Sequence, residues 1–283
     1  MIGIRPVLPW ETETVPTLEI ANVSVVYDVD DGPALTAVDD VSITVDTDQF
    51  ITVIGPSGCG KSTLLHCMGG LFRPTAGEIR IDGKVMSGPD PTKAAFVFQE
   101  YSLLPWKTVL DNAAIGLQFA HVSRSERTAR ADEALSRVGL SDFMNSYPYQ
   151  LSGGMQQRVA VARALTMDPE ILLMDEPFGA LDEQTRRALG FEMTAALTES
   201  RKTVIMVTHS LDEAIFWGDR VIVMSGRPGH ILQEFQIKTP RPRSVDFLAT
   251  DEFVELRSKL LALLAPTPSA EPESAPDSTI QVR

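Results

Sequence analysis

The residues Gly55-Pro56-Ser57-Gly58-Cys59-Gly60-Lys61-Ser62 satisfy the pattern G-x-x-x-x-G-K-[ST], directly after the apolar run FITVI and before a helix-like stretch that continues through Thr63. Glycines at this spacing let backbone N–H groups fold around a phosphate, and the helix N-terminus adds positive potential. A lysine at Lys61 reaches the β/γ oxygens of a nucleotide, and a hydroxyl at Ser62 suits Mg²⁺. A second chemical signal is Ile171-Leu-Leu-Met-Asp175-Glu176, an apolar run that ends in two carboxylates. Such a pair can cap the next helix. Beside a phosphate loop it has another use: one carboxylate can hold Mg²⁺ through water, and its neighbour can position or deprotonate an attacking water.

Two weaker signals stand beside these. Leu151-Ser152-Gly153-Gly154-Met155-Gln-Gln leads into the helix-like RVAVARAL. Its serine hydroxyl and glycine amides suit either an ordinary N-cap or an anion site. His209 follows the apolar run VIMV by two residues, and Ser210-Leu-Asp-Glu213 after it has the form of a capping box that fixes where the strand stops.

These residues need a scaffold, and the chain has the material for one. Short runs apolar at every position but Thr52 recur at 50–54, 94–98, 171–174, 204–207 and 221–224, as in strands buried on both faces. Helix-like stretches lie between them at 61–68, 155–164, 183–198 and 211–217. Strand and helix in alternation predict an α/β fold with a mainly parallel sheet. Residues 17–45 instead read as polar, antiparallel strands beside that sheet, and residues 111–150 as a small helical subdomain.

Composition limits the function classes. The 283 residues are 43% hydrophobic and 22% charged, which is ordinary for a globular protein. A formal charge of −13 argues against a dedicated nucleic-acid binder, because no basic field replaces counterions along phosphates. The longest apolar run is the six residues 260–265, far short of the roughly 20 needed to span a bilayer. No basic segment followed by an apolar one marks the N-terminus, so a cytosolic location is expected. Cys59 and Cys67 fit a reducing compartment; on a helix their separation of about 12 Å is too long for a disulfide. Seven aspartates and no Lys or Arg fall within 28–48, which reads as a solvated face.

Taken together, the motifs resemble those of the ATP-binding subunits of ABC transporters, over roughly residues 18–227. The phosphate loop matches Walker A, the acidic strand end Walker B, and LSGGMQQ the signature. Gln99 in FVFQEYSLLPW resembles the Q-loop, Asp182 in FGALD the D-loop, and His209 the switch histidine. Met155 and Gly179 stand where many members have Gln and Ser, and neither change removes a phosphate, metal or base group. The resemblance implies a P-loop NTPase core of ABC type with an antiparallel β subdomain and a helical subdomain at about residues 100–165, within an ATPase domain over 17–230. An extension over 1–16, a strand and helix over 231–265, and a disordered tail over 266–283 complete the expected organisation.

The same resemblance implies roles. ATP would be held by Gly55 to Thr63, by Ser152, Gly153, Gly154 and Met155, and by Asp182; Mg²⁺ by Ser62, Gln99 and Asp175; hydrolysis would use Glu176, His209, Gln99 and Lys61. Tyr27 sits where the family stacks an aromatic on adenine, or is a strand aromatic in a small core; for Gln99 the alternative is a surface glutamine, which the flanking Phe96 and Phe98 leave open. One copy of each motif implies a second ATPase subunit, as a homodimer. The absence of a span implies separate transmembrane permease subunits at the cytoplasmic face of the membrane, and indirectly an extracytoplasmic substrate-binding protein. Ser102-Leu-Leu-Pro-Trp106 and the later Arg-Pro-Gly at 227–229 look like the nitrate/sulfonate/taurine group of importers. The Leu103 and Trp106 side chains suit a permease interface or plain core packing. An exporter or lipid-handling ATPase, a non-transport ABC ATPase and a P-loop kinase are the alternatives; the kinase leaves LSGGMQQ, Asp182 and His209 unexplained.

Overall fold

Runs that are apolar at every position are stable only with both faces covered, and the fold covers them. In this computed structural model the residues described are 17–29, 32–179, 181, 186, 190, 197 and 201–265. The expected extension 1–16, the expected tail 266–283 and most of the predicted helix 183–198 lie outside the described residues.

The chain begins with β1 (Leu18–Tyr27) and β2 (Leu35–Val45), an antiparallel pair. It then enters the main sheet through β3 (Phe50–Ile54), all five residues of which are buried, and continues into α1 (Lys61–Met68). Two further antiparallel strands, β4 (Ala76–Ile81) and β5 (Lys84–Val85), return to the first sheet and give it the order β2-β1-β4-β5. This hairpin has no apolar run to announce it, being half exposed and charged. Next come β6 (Ala94–Val97) and the helices α2 (Val109–Ala113), α3 (Ile115–Phe119), α4 (Arg124–Arg137) and α5 (Gly153–Leu165). The main sheet is completed by β7 (Ile171–Asp175), β8 (Thr203–Val207), α6 (Leu211–Trp217), β9 (Arg220–Met224) and β10 (Ile231–Gln236). Its order is β10-β9-β3-β8-β7-β6, parallel except for β10.

The main sheet divides two hydrophobic cores. Leu172 and Met174 of β7 enter one core with α2, α4, α5 and α6, whereas Ile171 and Leu173 enter the other with α1 and the antiparallel sheet. Alternation along a strand with both faces apolar produces that division. Side-chain caps set the helix starts: Thr108, Ser123, Ser152 and Ser210 accept from the N–H of Asp111, Glu126, Met155 and Glu213. Helix α1 is different, beginning at Gly60 with no side-chain cap. Both cysteines are free and buried, and burial pushes the Cys67 thiol up to about 11. The described aspartates of the acidic stretch, Asp28, Asp39, Asp40, Asp46 and Asp48, are all exposed.

A 3₁₀ turn (Val245–Ala249) and α7 (Asp251–Leu264) pack the C-terminal segment onto α6, burying Phe247, Phe253, Leu256 and Leu260. Arg243 ties the two parts together. It is buried and donates to the carbonyls of Ile215, Phe216 and Gly218 at the end of α6, at 3.3, 2.8 and 2.8 Å, and to that of Thr239. Burial pushes its guanidinium down to about 10, still charged at neutral pH. Arg243→Ala removes this shared donor from the carbonyls and is expected to destabilise the fold by about 2–4 kcal/mol. A urea midpoint unchanged from wild type would contradict this.

Candidate functional site

The phosphate-loop sequence lies between β3 and α1, at the carboxyl ends of the parallel strands. Gly60 has φ 100°, and a Cβ there would sit 2.6 Å from the Ala37 carbonyl oxygen, so only glycine makes the turn. Lys61 is buried, and its Nζ donates to the carbonyls of Gly55 and Pro56, both at 2.9 Å. Its remaining neighbour is Cys59 Sγ at 3.9 Å, a weak acceptor that a phosphate oxygen outcompetes. A full positive charge is therefore fixed inside the curve of the loop, beside the uncapped amides of α1.

Ser62 and Asp175 come from segments 113 residues apart, yet the Ser62 hydroxyl donates to Asp175 Oδ1 at 3.0 Å. Burial pushes the Asp175 carboxyl above the usual carboxylate range, and the hydrogen bond from Ser62 pulls against that shift. A hydroxyl and a carboxylate oxygen are hard donors of the kind Mg²⁺ prefers. Glu176, the next residue, holds φ 43°, a left-handed conformation that costs a side-chain-bearing residue on the order of 1–2 kcal/mol. Its N–H donates to Val207 O and its carbonyl accepts from Gly179 N, at 2.9 and 3.0 Å, and these bonds hold it there.

Glu176 Oε2 is 3.2 Å from His209 Nδ1. A carboxylate accepts, so the hydrogen of this bond belongs to Nδ1, and Nε2 is left to face other partners. The expected capping box is present in an altered form. Glu213 N–H donates to Ser210 Oγ as anticipated, but Ser210 N–H donates to Thr208 Oγ1, whose hydroxyl donates to Glu213 Oε2. Thr208 thus relays the return bond and secures the residue before His209. Gln99 is exposed and flanks the same place: a Cβ at Gly179 would lie 3.4 Å from its Nε2 and 3.6 Å from Glu176 Oε2. Tyr27 is 38% exposed and its hydroxyl lies 3.1 Å from Thr63 Oγ1, so it stands at the rim of the loop and outside the core.

The structure therefore gathers Lys61, Ser62, Asp175, Glu176, His209 and Gln99 at the carboxyl end of the parallel strands. It does not bring Ser152, Gly153, Gly154 and Met155 to them. Among the described residues, no hydrogen bond joins 151–155 to 55–63. Asp182 lies outside the described residues.

Two residues that sequence reasoning passed over connect the segment after Gln99 to the helical part. Arg163 of α5 donates to the carbonyls of Ser102 and Tyr101 at 2.7 and 2.9 Å. Asn112, fully buried, accepts from Leu104 N–H and donates to the carbonyls of Leu104, Lys107 and Thr108. A lone Arg on a helix and an Asn in a polar stretch carry no spacing signal that would have revealed either clasp.

Comparison with known proteins gives this arrangement its class. Residues 38–179 match the ABC transporter family. The taurine import ATP-binding protein TauB of Rhizobium johnstonii is 44% identical, over 88% of this chain and 97% of that protein. The bicarbonate transport ATP-binding protein CmpD of Synechocystis is 43% identical over 90% and 92%, and the nitrate import ATP-binding protein NrtD of Synechococcus elongatus 43% over 91% and 96%. The dimeric ABC transporter cassette MJ0796 superposes with a TM-score of 0.70 at 36% identity, covering 79% of this chain and all of that one. A further structure of MJ0796 is a post-hydrolysis state bound to ADP and Pi. The chain belongs to the ABC transporter ATP-binding proteins. Its fold is the ABC cassette, and its activity is hydrolysis of ATP to ADP and phosphate.

Two outcomes follow for the acidic pair. Glu176→Gln is expected to slow ATP turnover at least about 10²-fold with ATP affinity retained; unchanged turnover would remove Glu176 from the reaction. Asp175 holds its proton more tightly folded than unfolded. Its carboxyl therefore subtracts stability as pH rises through the interval from its ordinary to its raised value, and the penalty is present above that interval. Asp175→Asn is expected to melt higher than wild type at pH 7, with the gain gone by about pH 3, and to lose ATPase activity. Equal melting temperatures at pH 7 would contradict this.

Proposed function

We propose that the chain is the ATP-hydrolysing subunit of an importer for a small anion such as taurine, an alkanesulfonate or nitrate, acting through a separate membrane permease. The observation that carries the reading is the half-built site. Lys61, Ser62, Asp175, Glu176 and His209 converge, while the Ser152-Gly153-Gly154 helix start has no bond to them. A second copy, placed head to tail, would offer its own Ser152-Gly153-Gly154 amides to a nucleotide held here. Uncapped amides and a buried lysine suit the polyphosphate, Tyr27 the base, and the Glu176 carboxylate a water proton.

The oxygens of Ser62, Asp175 and Gln99 fit Mg²⁺, which when bound would neutralise charge on the phosphate oxygens. Among the described residues no helix is long and apolar enough to cross a membrane, so transport would proceed through permease subunits, with this chain at their cytoplasmic face. Trp106 is 71% exposed on the segment that Arg163 and Asn112 clasp, which suits an aromatic anchor for a permease helix. The relatives' names cover taurine, bicarbonate and nitrate, two of them simple anions, and support a small-solute class of this kind.

Co-purification with permease and binding protein, followed by ligand screening of that binding protein against taurine, alkanesulfonates, nitrate and bicarbonate, tests the reading. One of these solutes is expected to bind; binding of none of them, with retention of a sugar, a peptide or a cation instead, would overturn the class. Trp106→Glu is expected to weaken permease association at least about tenfold. Association at wild-type strength would remove Trp106 from the interface.

A further inference from the structure

The Arg-Pro-Gly turn at 227–229 reads from sequence as a plain turn, yet it lies against the phosphate loop. Strand β9 runs beside β3, so the turn that follows β9 emerges next to the loop that follows β3. Arg227 Nε and Nη2 both donate to the carbonyl oxygen of Gly58, at 3.1 and 3.0 Å. Gly229 N–H donates to Ala37 O and its carbonyl accepts from Asp39 N–H, both at 2.9 Å, which fastens the turn to β2. A Cβ at Gly229 would stand 2.0 Å from the Cys59 carbonyl oxygen, so no other residue allows this approach. The turn is also braced internally: Ser225 N–H donates to His230 O, and the Ser225 hydroxyl donates to Pro228 O at 3.0 Å.

A trans peptide is planar, with its C=O and N–H on opposite sides. Holding Gly58 O toward Arg227 therefore turns the Cys59 N–H away from the arginine, where it meets Pro56 O at a long 3.4 Å. Gly58 has φ +73° and no Cβ, so on the Gly58 side of this peptide no side chain opposes a flip. A flip would present an oxygen where an anion needs a hydrogen. We propose that Arg227 is a positioning residue of the nucleotide site, clasping the Gly58 carbonyl so that the Gly58–Cys59 peptide keeps its N–H on the phosphate side. The inference rests on residues 55–63 being the phosphate site of the proposed function.

The clasp should act on binding and leave the chemical step alone. Arg227→Ala is expected to weaken MgADP binding and raise the KM for ATP by about tenfold, with kcat at saturating ATP within about twofold of wild type. The nucleotide-free melting temperature should stay within about 2 °C, as for an exposed side chain. Because Arg227 is exposed, a pure charge effect would vanish at about 0.5 M salt, whereas loss of the clasp would persist. Arg227→Lys retains one donor and should recover binding to within about threefold. Wild-type affinity in Arg227→Ala, a deficit abolished by salt, or a fall in kcat together with a lower nucleotide-free melting temperature would each overturn the proposal. Failure of the wild-type chain to bind MgADP would overturn the site reading beneath it.

Discussion

Everything chemical in this protein depends on the register of three parallel strands. Val53 of β3 lies opposite Val207 of β8, and Val207 lies opposite Asp175 of β7. Gly55 begins two residues beyond the first, His209 two beyond the second, and Glu176 one beyond the third. The sheet thus delivers the loop, the acidic pair and the histidine to one level, although they are far apart in sequence. A slip of one residue would send each strand's side chains to the opposite core and misalign all three groups. The two separate hydrophobic cores make such a slip expensive, since Leu172 and Met174 would exchange environments with Ile171 and Leu173.

That rigidity supports groups that are unfavourable by themselves. Glu176 is held left-handed, Asp175 is buried with its carboxyl pushed upward, and the Lys61 ammonium is buried against backbone carbonyls. Each is less stable than a bland substitute, and each lies at the carboxyl end of the same parallel strands. Concentrating such features at one place is the mark of a functional site, where selection for chemistry outweighs stability. The C-terminal segment contributes from behind: Arg243 closes the end of α6, the helix whose first turn follows His209.

Much of this was legible from sequence because it is local or periodic. The runs 50–54, 171–174, 204–207 and 221–224 are apolar at every position but Thr52 and became strands covered on both faces, and 61–68 and 211–217 became helices with those bounds. The hairpin of β4 and β5 escaped because Glu78 and Arg80 interrupt its apolar residues. The long-range clasps escaped for a different reason. Arg227 meets Gly58 across 169 residues and Arg163 meets Tyr101 across 62, and a solitary arginine looks alike whether it is solvated or holding a carbonyl. Trp106, for which core packing and an interface were equal readings, is 71% exposed.

The proposal that one chain carries only half of a working site has a direct test in sedimentation velocity of the Glu176→Gln chain, with bound nucleotide counted in each species. Head-to-tail pairing requires a two-chain particle holding two ATP, formed only when ATP is present. A single-chain particle at saturating ATP, or pairing that is the same with and without nucleotide, would contradict it.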